Sequence, residues 1–299
     1  MVETRDGERK PGRLTQLAKN PAAWNALTVL PLGWRRQLLF ITSHKRLGSF
    51  RHPRTFSEKV NWRILHDRRE LLSWTCDKLR MKAMAEDRGV RVVPTLWAGA
   101  DLNELRNTTL PAAWVLKPNH GSNSLVFFGE SPIAPLEDIR KVEETWARDS
   151  RLSVQGEWAY TKAAPGYLVE ERIGPIPGSP PDFKIFVFDG EPYMIQVDTD
   201  RFTRHCRTFY SVDWRPMPFS SAYPIAETPR PESLHEMLEA AKEMAAGFDF
   251  LRVDLYAEEG QVYLGEVTPY PGGGLEPFRP AQADLDIGAR WSLPELNVK

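Results

Sequence analysis

From Leu251 to Thr268 the chain reads Leu-Arg-Val-Asp-Leu-Tyr, then Ala-Glu-Glu-Gly, then Gln-Val-Tyr-Leu-Gly-Glu-Val-Thr. Two alternating runs around Glu258-Glu259-Gly260 predict a β-hairpin closed by a three-residue loop, with Gly at the left-handed position. This closure pairs Ala257 with Gln261, Asp254 with Leu264 and Arg252 with Glu266. Alternation then places Arg252, Asp254, Glu266 and Thr268 on one face. Two carboxylates and a hydroxyl are hard oxygen donors of the kind Mg²⁺ takes together with substrate phosphates, and Arg252 adds a fixed positive charge. A solvated hairpin with a cross-strand salt bridge uses the same residue types, so other segments must decide.

Upstream segments offer what a nucleotide needs. Residues 114–118, Trp-Val-Leu-Lys-Pro, read as a strand stopped by Pro118 and followed by the turn His120-Gly-Ser122-Asn-Ser124. A Lys at a strand end can hold a phosphate as a point charge, and a small-residue turn can hold it by backbone N–H groups. Asp77-Lys78 opens a helix and brings a second cation. The strand Tyr167-Leu-Val-Glu170-Glu171-Arg-Ile173 can offer backbone groups and a carboxylate to an adenine amino group. In residues 182–188, Asp182 and Lys184 share one face, and Phe183, Ile185 and Val187 the other. Gly272-Gly273-Gly274 reads as a plain turn or as backbone that takes a carboxylate or oxyanion. Arg201, Arg204, His205 and Arg207 read as a solvated basic loop or as contacts to an acidic acceptor. One nucleotide site accounts for the lysines and carboxylates together.

These groups need elements to position them. Thr55 or Ser57 caps a helix whose apolar face holds Val60, Ile64 and Leu65. Residues 77–88 form a second helix ending at Gly89. Strands are predicted at 90–94 and 125–128, and a helix at 136–148. The second half is strand-dense, at 167–172, 183–188, 192–197, 251–256 and 261–267, with one helix at 233–246. Such mixed sheets covered by helices predict an α+β protein.

The chain has 299 residues, with 39 Lys+Arg against 40 Asp+Glu and a formal charge of −1. Near-neutrality argues against a protein whose main task is to coat nucleic acid or an anionic bilayer. Hydrophobic residues make up 41%, which excludes intrinsic disorder. Two cysteines, Cys76 and Cys206, form neither a disulfide framework nor a zinc spacing and suit a reducing cytoplasm, the expected location. Residues 1–13 are charged with no apolar run behind them. Pro31, Gly33, Arg35 and Arg36 interrupt the most apolar stretch, 21–41. Neither a leader nor a transmembrane segment is therefore expected. Trp24, Leu30, Trp34 and Phe40 are expected to cap the core or a partner rather than to touch a membrane.

Taken in order, Asp77-Lys78-Leu-Arg-Met-Lys82, Val115-Leu-Lys117-Pro118, the 120–124 loop, Leu168-Val-Glu170-Glu171, Asp182-Phe-Lys184, Arg252-Val-Asp254 and Gly265-Glu266 resemble the ATP-grasp enzymes. D-alanine–D-alanine ligases and related carboxylate–amine ligases are among these. More specifically, 56–62, 182–190 and the Gly-rich 271–280 are similar to the TupA-like ATP-grasp family, named for teichuronopeptide biosynthesis. The resemblance covers about residues 45–292.

It implies an ATP-grasp fold with two α+β subdomains clamping ATP and Mg²⁺. A helical N-terminal extension would span 1–75, a small subdomain 76–165 and a metal-binding subdomain 166–299. By match, Lys78 and Lys117 would contact phosphates, with Ser122 in the small loop. Glu170 and the backbone from Glu171 to Ile173 would meet adenine, and Asp182 the ribose hydroxyls. Lys184 would contact phosphate or substrate. Asp254 and Glu266, with Thr268, would hold Mg²⁺, and Arg252 would stabilise the transferring phosphoryl group. His120, Arg201, Arg204, Gly272 and Gly273 are the expected substrate contacts. Many ligases carry Asn where Thr268 stands, and residues 1–75 replace the usual N-terminal α/β domain. The implied reaction joins a carboxylate of an amino acid, peptide or acidic sugar to an amine through an acyl phosphate. A kinase acting on a sugar hydroxyl is the alternative, and a nucleotide-binding scaffold without turnover is a third reading.

Overall fold

The computed structural model describes residues 27–120, 127–129, 155–175, 178–201 and 203–296. Strands β1 (Thr95–Gly99), β2 (Trp114–Pro118), β3 (Phe127–Gly129) and β4 (Tyr167–Glu171) form an antiparallel sheet in the order β1-β4-β2-β3. Strands β5 (Asp182–Phe188), β6 (Glu191–Thr199), β7 (Cys206–Ser211), β8 (Phe250–Glu258) and β9 (Gln261–Thr268) form a second, in the order β7-β6-β5-β8-β9. The described α-helices are α1 (Leu32–His44), α2 (Phe56–His66), α3 (Lys78–Asp87), α4 (Leu234–Ala245) and α5 (Gln282–Ala289). None is long and apolar enough to cross a membrane.

The larger sheet is covered on both faces, which is why every residue of β5 is buried. One face carries Phe183, Ile185 and Val187, with Leu251, Val253 and Leu255 from β8. They share an apolar core with Leu234, Met237, Ala241 and Met244 of α4. The other face changes character along its length. Phe186, Phe188 and Phe250 form its aromatic end, where Phe56 of α2 and Trp291 pack against Phe250. Asp182, Lys184, Arg252 and Asp254 form its charged end, because Lys184 stands opposite Asp254 and Phe186 opposite Arg252.

Local sequence sets the helices that reach this face. Thr55 and Glu58 close a capping box at the start of α2. Asp77 caps α3 by accepting from the Arg80 N–H. Its second oxygen accepts from the Ala164 N–H at 2.9 Å, tying the helix start to the segment before β4.

Two expectations need correction. Residues 90–94 make only a bridge from Val92 to Leu264, and the strand begins after Pro94. Strand β7 occupies what reads as a basic loop; Arg207 is on it and buried. Helix α5 carries no strong apolar period, and its buried face includes Asp284, which accepts from the Ser57 N–H and hydroxyl. The predicted helix at 136–148 and the first half of the strand at 125–128 lie outside the described residues, while residues 127 and 128 fall in β3.

Candidate active site

The β8–β9 hairpin forms, but with a different closure. Glu258 pairs with Gln261 around a two-residue turn, Glu259-Gly260, both with positive φ. From there Leu255 faces Leu264, and the register then skips Gly265, so that Asp254 faces Glu266 and Arg252 faces Thr268. This β-bulge inverts the alternation of β9. It keeps Leu264 and Val267 both in the core and sets the two carboxylates directly across from one another.

A charged network crosses the sheet from this pair. Arg252 Nε donates to Asp254 Oδ1 and its Nη2 to Oδ2, each at 2.7 Å. Lys184 Nζ donates to Asp254 Oδ2 at 2.7 Å and also to Asp182 Oδ2. Arg201 donates to that same Asp182 oxygen at 2.8 Å. Burial alone would raise the Asp254 carboxyl, but Arg252 and Lys184 hold it below the usual carboxylate range. Asp182, reinforced by burial, pushes the Tyr256 hydroxyl well above its ordinary value, so Tyr256 belongs to this face too. The network continues to Asp198, opposite Asp182 on β6. Asp198 receives Arg207 Nε at 2.6 Å, and Arg207 also donates to Glu276 at 2.6 Å. A narrow pocket opens beside Arg252 where the charged and aromatic ends meet, lined also by Phe186, Gln196, Phe209, Ser221 and Glu276.

The smaller sheet presents a second cluster. Glu170 is buried between two lysines: Lys82 Nζ at 2.6 Å, and Lys117 Nζ in contact with its other oxygen. Burial works against the Glu170 carboxylate, yet Lys117 and Lys82 hold its pKa below the usual value. Asn119, just past β2, fixes the start of α3 against this sheet. Its carbonyl accepts from Lys78 N–H, its Oδ1 from Leu79 N–H, and its Nδ2 donates to Ala164 O. Lys78 is thereby set where burial lowers its pKa and Glu266, Lys117 and Glu170 all act on its charge.

The Gly turn is the third component. Gly272, Gly273 and Gly274 have φ of +54°, +57° and +64°, three left-handed residues in succession. The carbonyls of the last two are held from α1 and α2. Arg36 donates to Gly273 O, and Asn61 Nδ2 to Gly274 O at 3.2 Å. His44 Nε2 also lies 3.1 Å from Gly274 O. Glu157 stands close by; a Cβ on Gly273 would come within 3.2 Å of its Oε1. Burial first, opposed by Arg36 and reinforced by Glu266, pushes the Glu157 carboxyl up to about 7.

Arg252, Asp254, Glu266, Thr268, Asp182, Lys184 and Arg201 thus lie on one face of the larger sheet, and Lys78, Lys117 and Glu170 gather at the smaller one. Thr268 is buried and accepts from Tyr270 N–H at 3.2 Å. Glu171 is exposed at the end of β4 and Ile173 follows it. His120 bridges to Asp77, with a buried, unpartnered Nδ1 among the described atoms. Arg204 is exposed. Gly272 is exposed and Gly273 buried. Ser122 lies outside the described residues. Sequence reasoning named Lys82 at the end of the 77–82 motif without giving it a role, and missed Asn119, Tyr256, Asp198 and Arg36. Only Lys82 carried a local signal, one helical turn after Lys78.

Two antiparallel sheets carrying facing lysines and carboxylates define this as an ATP-grasp protein. The TupA-like ATP-grasp family model matches residues 58–292, and the chain belongs to that family. No curated protein sequence matches it. Among solved structures it is similar to an L-amino acid ligase from Bacillus licheniformis, with 18% identity, TM-score 0.46, and 67% of this chain and 44% of that one covered. It is also similar to a D-alanine–D-alanine ligase from Helicobacter pylori, with 18% identity, TM-score 0.43, and 75% and 60% covered. A purK N5-carboxyaminoimidazole ribonucleotide synthetase in its ADP complex shares 16% identity, with TM-score 0.44 and 67% and 46% covered. The chain spans roughly half the length of these structures.

Proposed function

We propose that the chain is an ATP-dependent carboxylate–amine ligase. The observation that carries this reading is the position of Lys78, within electrostatic reach of Glu266 on the larger sheet and of Lys117 and Glu170 on the smaller. A polyphosphate between the sheets would meet Lys78 and Lys117 on one side and Lys184 and Arg252 on the other. Glu170 and the end of β4 would take the adenine. Asp182 would take the ribose hydroxyls.

The donor set fits Mg²⁺. Two opposed carboxylates are the one or two that this ion takes, with waters and phosphate oxygens completing its shell. Among the described residues Asp254 Oδ1 accepts one hydrogen bond, from Arg252, which leaves a lone pair for a metal. Asp254 and Glu266 would hold the ion, which when bound neutralises charge on the β- and γ-phosphates. Thr268, engaged by the Tyr270 N–H, would be at most an accessory oxygen.

In the proposed reaction a substrate carboxylate oxygen attacks the γ-phosphorus and the bond to the ADP oxygen breaks, giving an acyl phosphate. The amine nitrogen then attacks the acyl carbon, loses a proton to solvent, and expels phosphate to leave an amide. Arg252 faces the pocket where the carboxylate would sit and would stabilise charge on the transferring phosphoryl group. The Gly turn lies next to the same pocket, through Gly274. The substrate would be an amino acid, peptide or acidic sugar. A screen of such acids with ATP, Mg²⁺ and hydroxylamine tests this: a ligase yields ADP, phosphate and a hydroxamate. ADP with a phosphorylated alcohol would replace the ligase with a kinase, and no ADP with any candidate would leave a binding protein.

A further inference from the structure

We propose that α1 and the segments flanking it dock on the surface of an anionic phospholipid bilayer. Trp34, Leu38 and Ile41 recur at helical spacing along the outer stripe of α1, 69%, 44% and 36% exposed. Val29 and Leu30 before the helix and Leu47 after it extend this stripe, at 85%, 38% and 70%. The inner stripe, Arg36, Leu39 and Phe40, is buried. The sequence expectation that this stretch caps the core is therefore met by one side of the helix only. Single exposed apolar residues are ordinary, but a continuous stripe of large ones marks a contact surface.

Charge selects the occupant. From residue 9 to residue 57 there are ten Lys/Arg and no Asp/Glu, which leaves 29 against 40 in the rest of the chain. Lys45, Arg46, Arg51 and Arg54 are exposed in the segment that follows α1. Arg46 is committed in part to Glu58, at 2.5 Å. A second copy would bring the same cations against these, and like charges facing one another oppose docking. Residues 9–26 carry only cations among their charged groups and meet the same objection. An anionic bilayer instead supplies negative potential for the cations and an acyl boundary for Leu38, Ile41 and Leu47. Trp34 suits the headgroup level. At 13 residues α1 is too short to span, so it would lie in the plane of the surface. Its inner side would still hold the Gly turn through Arg36 and His44.

Co-sedimentation of the full chain with vesicles tests the proposal. Vesicles of phosphatidylcholine with about one third phosphatidylglycerol should carry the protein down, and pure phosphatidylcholine should not. About 0.5 M salt should release it. Lys45→Ala with Arg51→Ala should weaken binding by about thirtyfold, the effect of two surface cations. Trp34→Ser with Leu38→Ser should weaken it by roughly tenfold or more, with an unchanged thermal melt because both side chains are exposed. Absence of binding to anionic vesicles, equal binding to neutral ones, or wild-type binding by the Trp34/Leu38 variant would each overturn it. So would a dimer, seen by sedimentation velocity without lipid, that the Trp34/Leu38 variant dissociates, since a second copy would then own the face.

Discussion

Arg36 donates to the carbonyl of Gly273 and, through Nε, to Asn61 Oδ1 at 2.8 Å. The first contact joins residues 237 positions apart. It ties the first described α-helix to the turn that follows the proposed metal strand, although Arg36 lies outside the residues matched by the family model. The guanidinium is fully buried, and burial brings its pKa down to about 10 against the pull of Glu157.

Arg36→Ala would leave two buried acceptors unpaired and Glu157 without its cation. A loss of about 2–4 kcal/mol in urea unfolding is expected. Arg36→Lys should recover part of it. An alanine variant within about 0.5 kcal/mol of wild type would show that the contact does not hold the turn.

The three glycines should not respond equally to alanine. A Cβ on Gly274 would meet Ser57 O at 2.7 Å and Asn61 Nδ2 at 2.6 Å, neither of which can retreat without breaking the start of α2. A Cβ on Gly272 would meet chiefly the flexible Glu276 side chain, at 2.8 Å. Gly272→Ala should cost about 1–2 kcal/mol, the cost of a left-handed residue, and Gly274→Ala clearly more. Thermal melts rank them, and the reverse order would refute the packing argument.

Lys117→Ala should weaken ATP binding by about 1.5–3 kcal/mol, the scale of one charge-assisted bond. Lys82→Ala removes the other partner of Glu170 and should act less on the phosphates and more on stability, because Lys82 also donates to Val93 O and to Thr95 Oγ1, the latter at 2.8 Å. Calorimetric titration with ATP separates the two. Equal affinity for wild type and Lys117→Ala would remove Lys117 from the site.

Glu266→Gln and Asp254→Asn should each reduce Mg²⁺-dependent ATP turnover by about a hundredfold or more. Their stabilities should differ. Asp254 separates Lys184 from Arg252, so its amide leaves two buried cations facing each other and lowers the melting temperature. Glu266→Gln should melt near wild type. Near-normal turnover in either variant would sink the metal assignment.

Glu157 gives a pH signature of definite sign. Its folded pKa of about 7 lies above the ordinary 4.5. Between these values the folded protein keeps a proton that the unfolded chain has released, so this group's contribution to stability falls as pH rises through the window. The full effect is up to about 3 kcal/mol. Glu157→Gln should therefore gain stability relative to wild type from pH 5 to pH 8. A difference that stays flat over that range would mean that the carboxyl titrates normally.

How far these features could be read from sequence depends on how local their cause is. The shared face of Asp182 and Lys184 follows from alternation within one strand. The caps of α2 and α3 lie within four residues of what they cap. The convergence of Arg252, Asp254 and Glu266 was visible, but their pairing was not, because it depends on a shift at Gly265 for which the lone glycine inside a strand pattern was the only hint. Strand β7 was hidden because Arg207 reads as solvated until Asp198 and Glu276 are known to flank it. Arg36, Asn61 and Glu157 meet the Gly turn only through tertiary contacts, and no spacing announces these.

Gly265 also divides the hairpin into two segments of opposite parity. Toward the tip, odd-numbered Tyr263 shares the open face with Tyr256; past the bulge, even-numbered Glu266 and Thr268 do. Were Gly265 paired in regular alternation instead of bulged, Asp254 would face Gly265, Glu266 would turn toward the core that Val267 now fills, and Val267 would come up opposite Arg252. The carboxylate would be lost without any change to its own codon. Insertions at the exposed Glu259-Gly260 tip can be absorbed as loop, whereas flattening the bulge with Gly265 retained rewrites which side chains a ligand meets. Comparisons of this chain with other sequences should therefore be anchored on Asp254 and Glu266 across the bulge, and not on the turn that joins their strands.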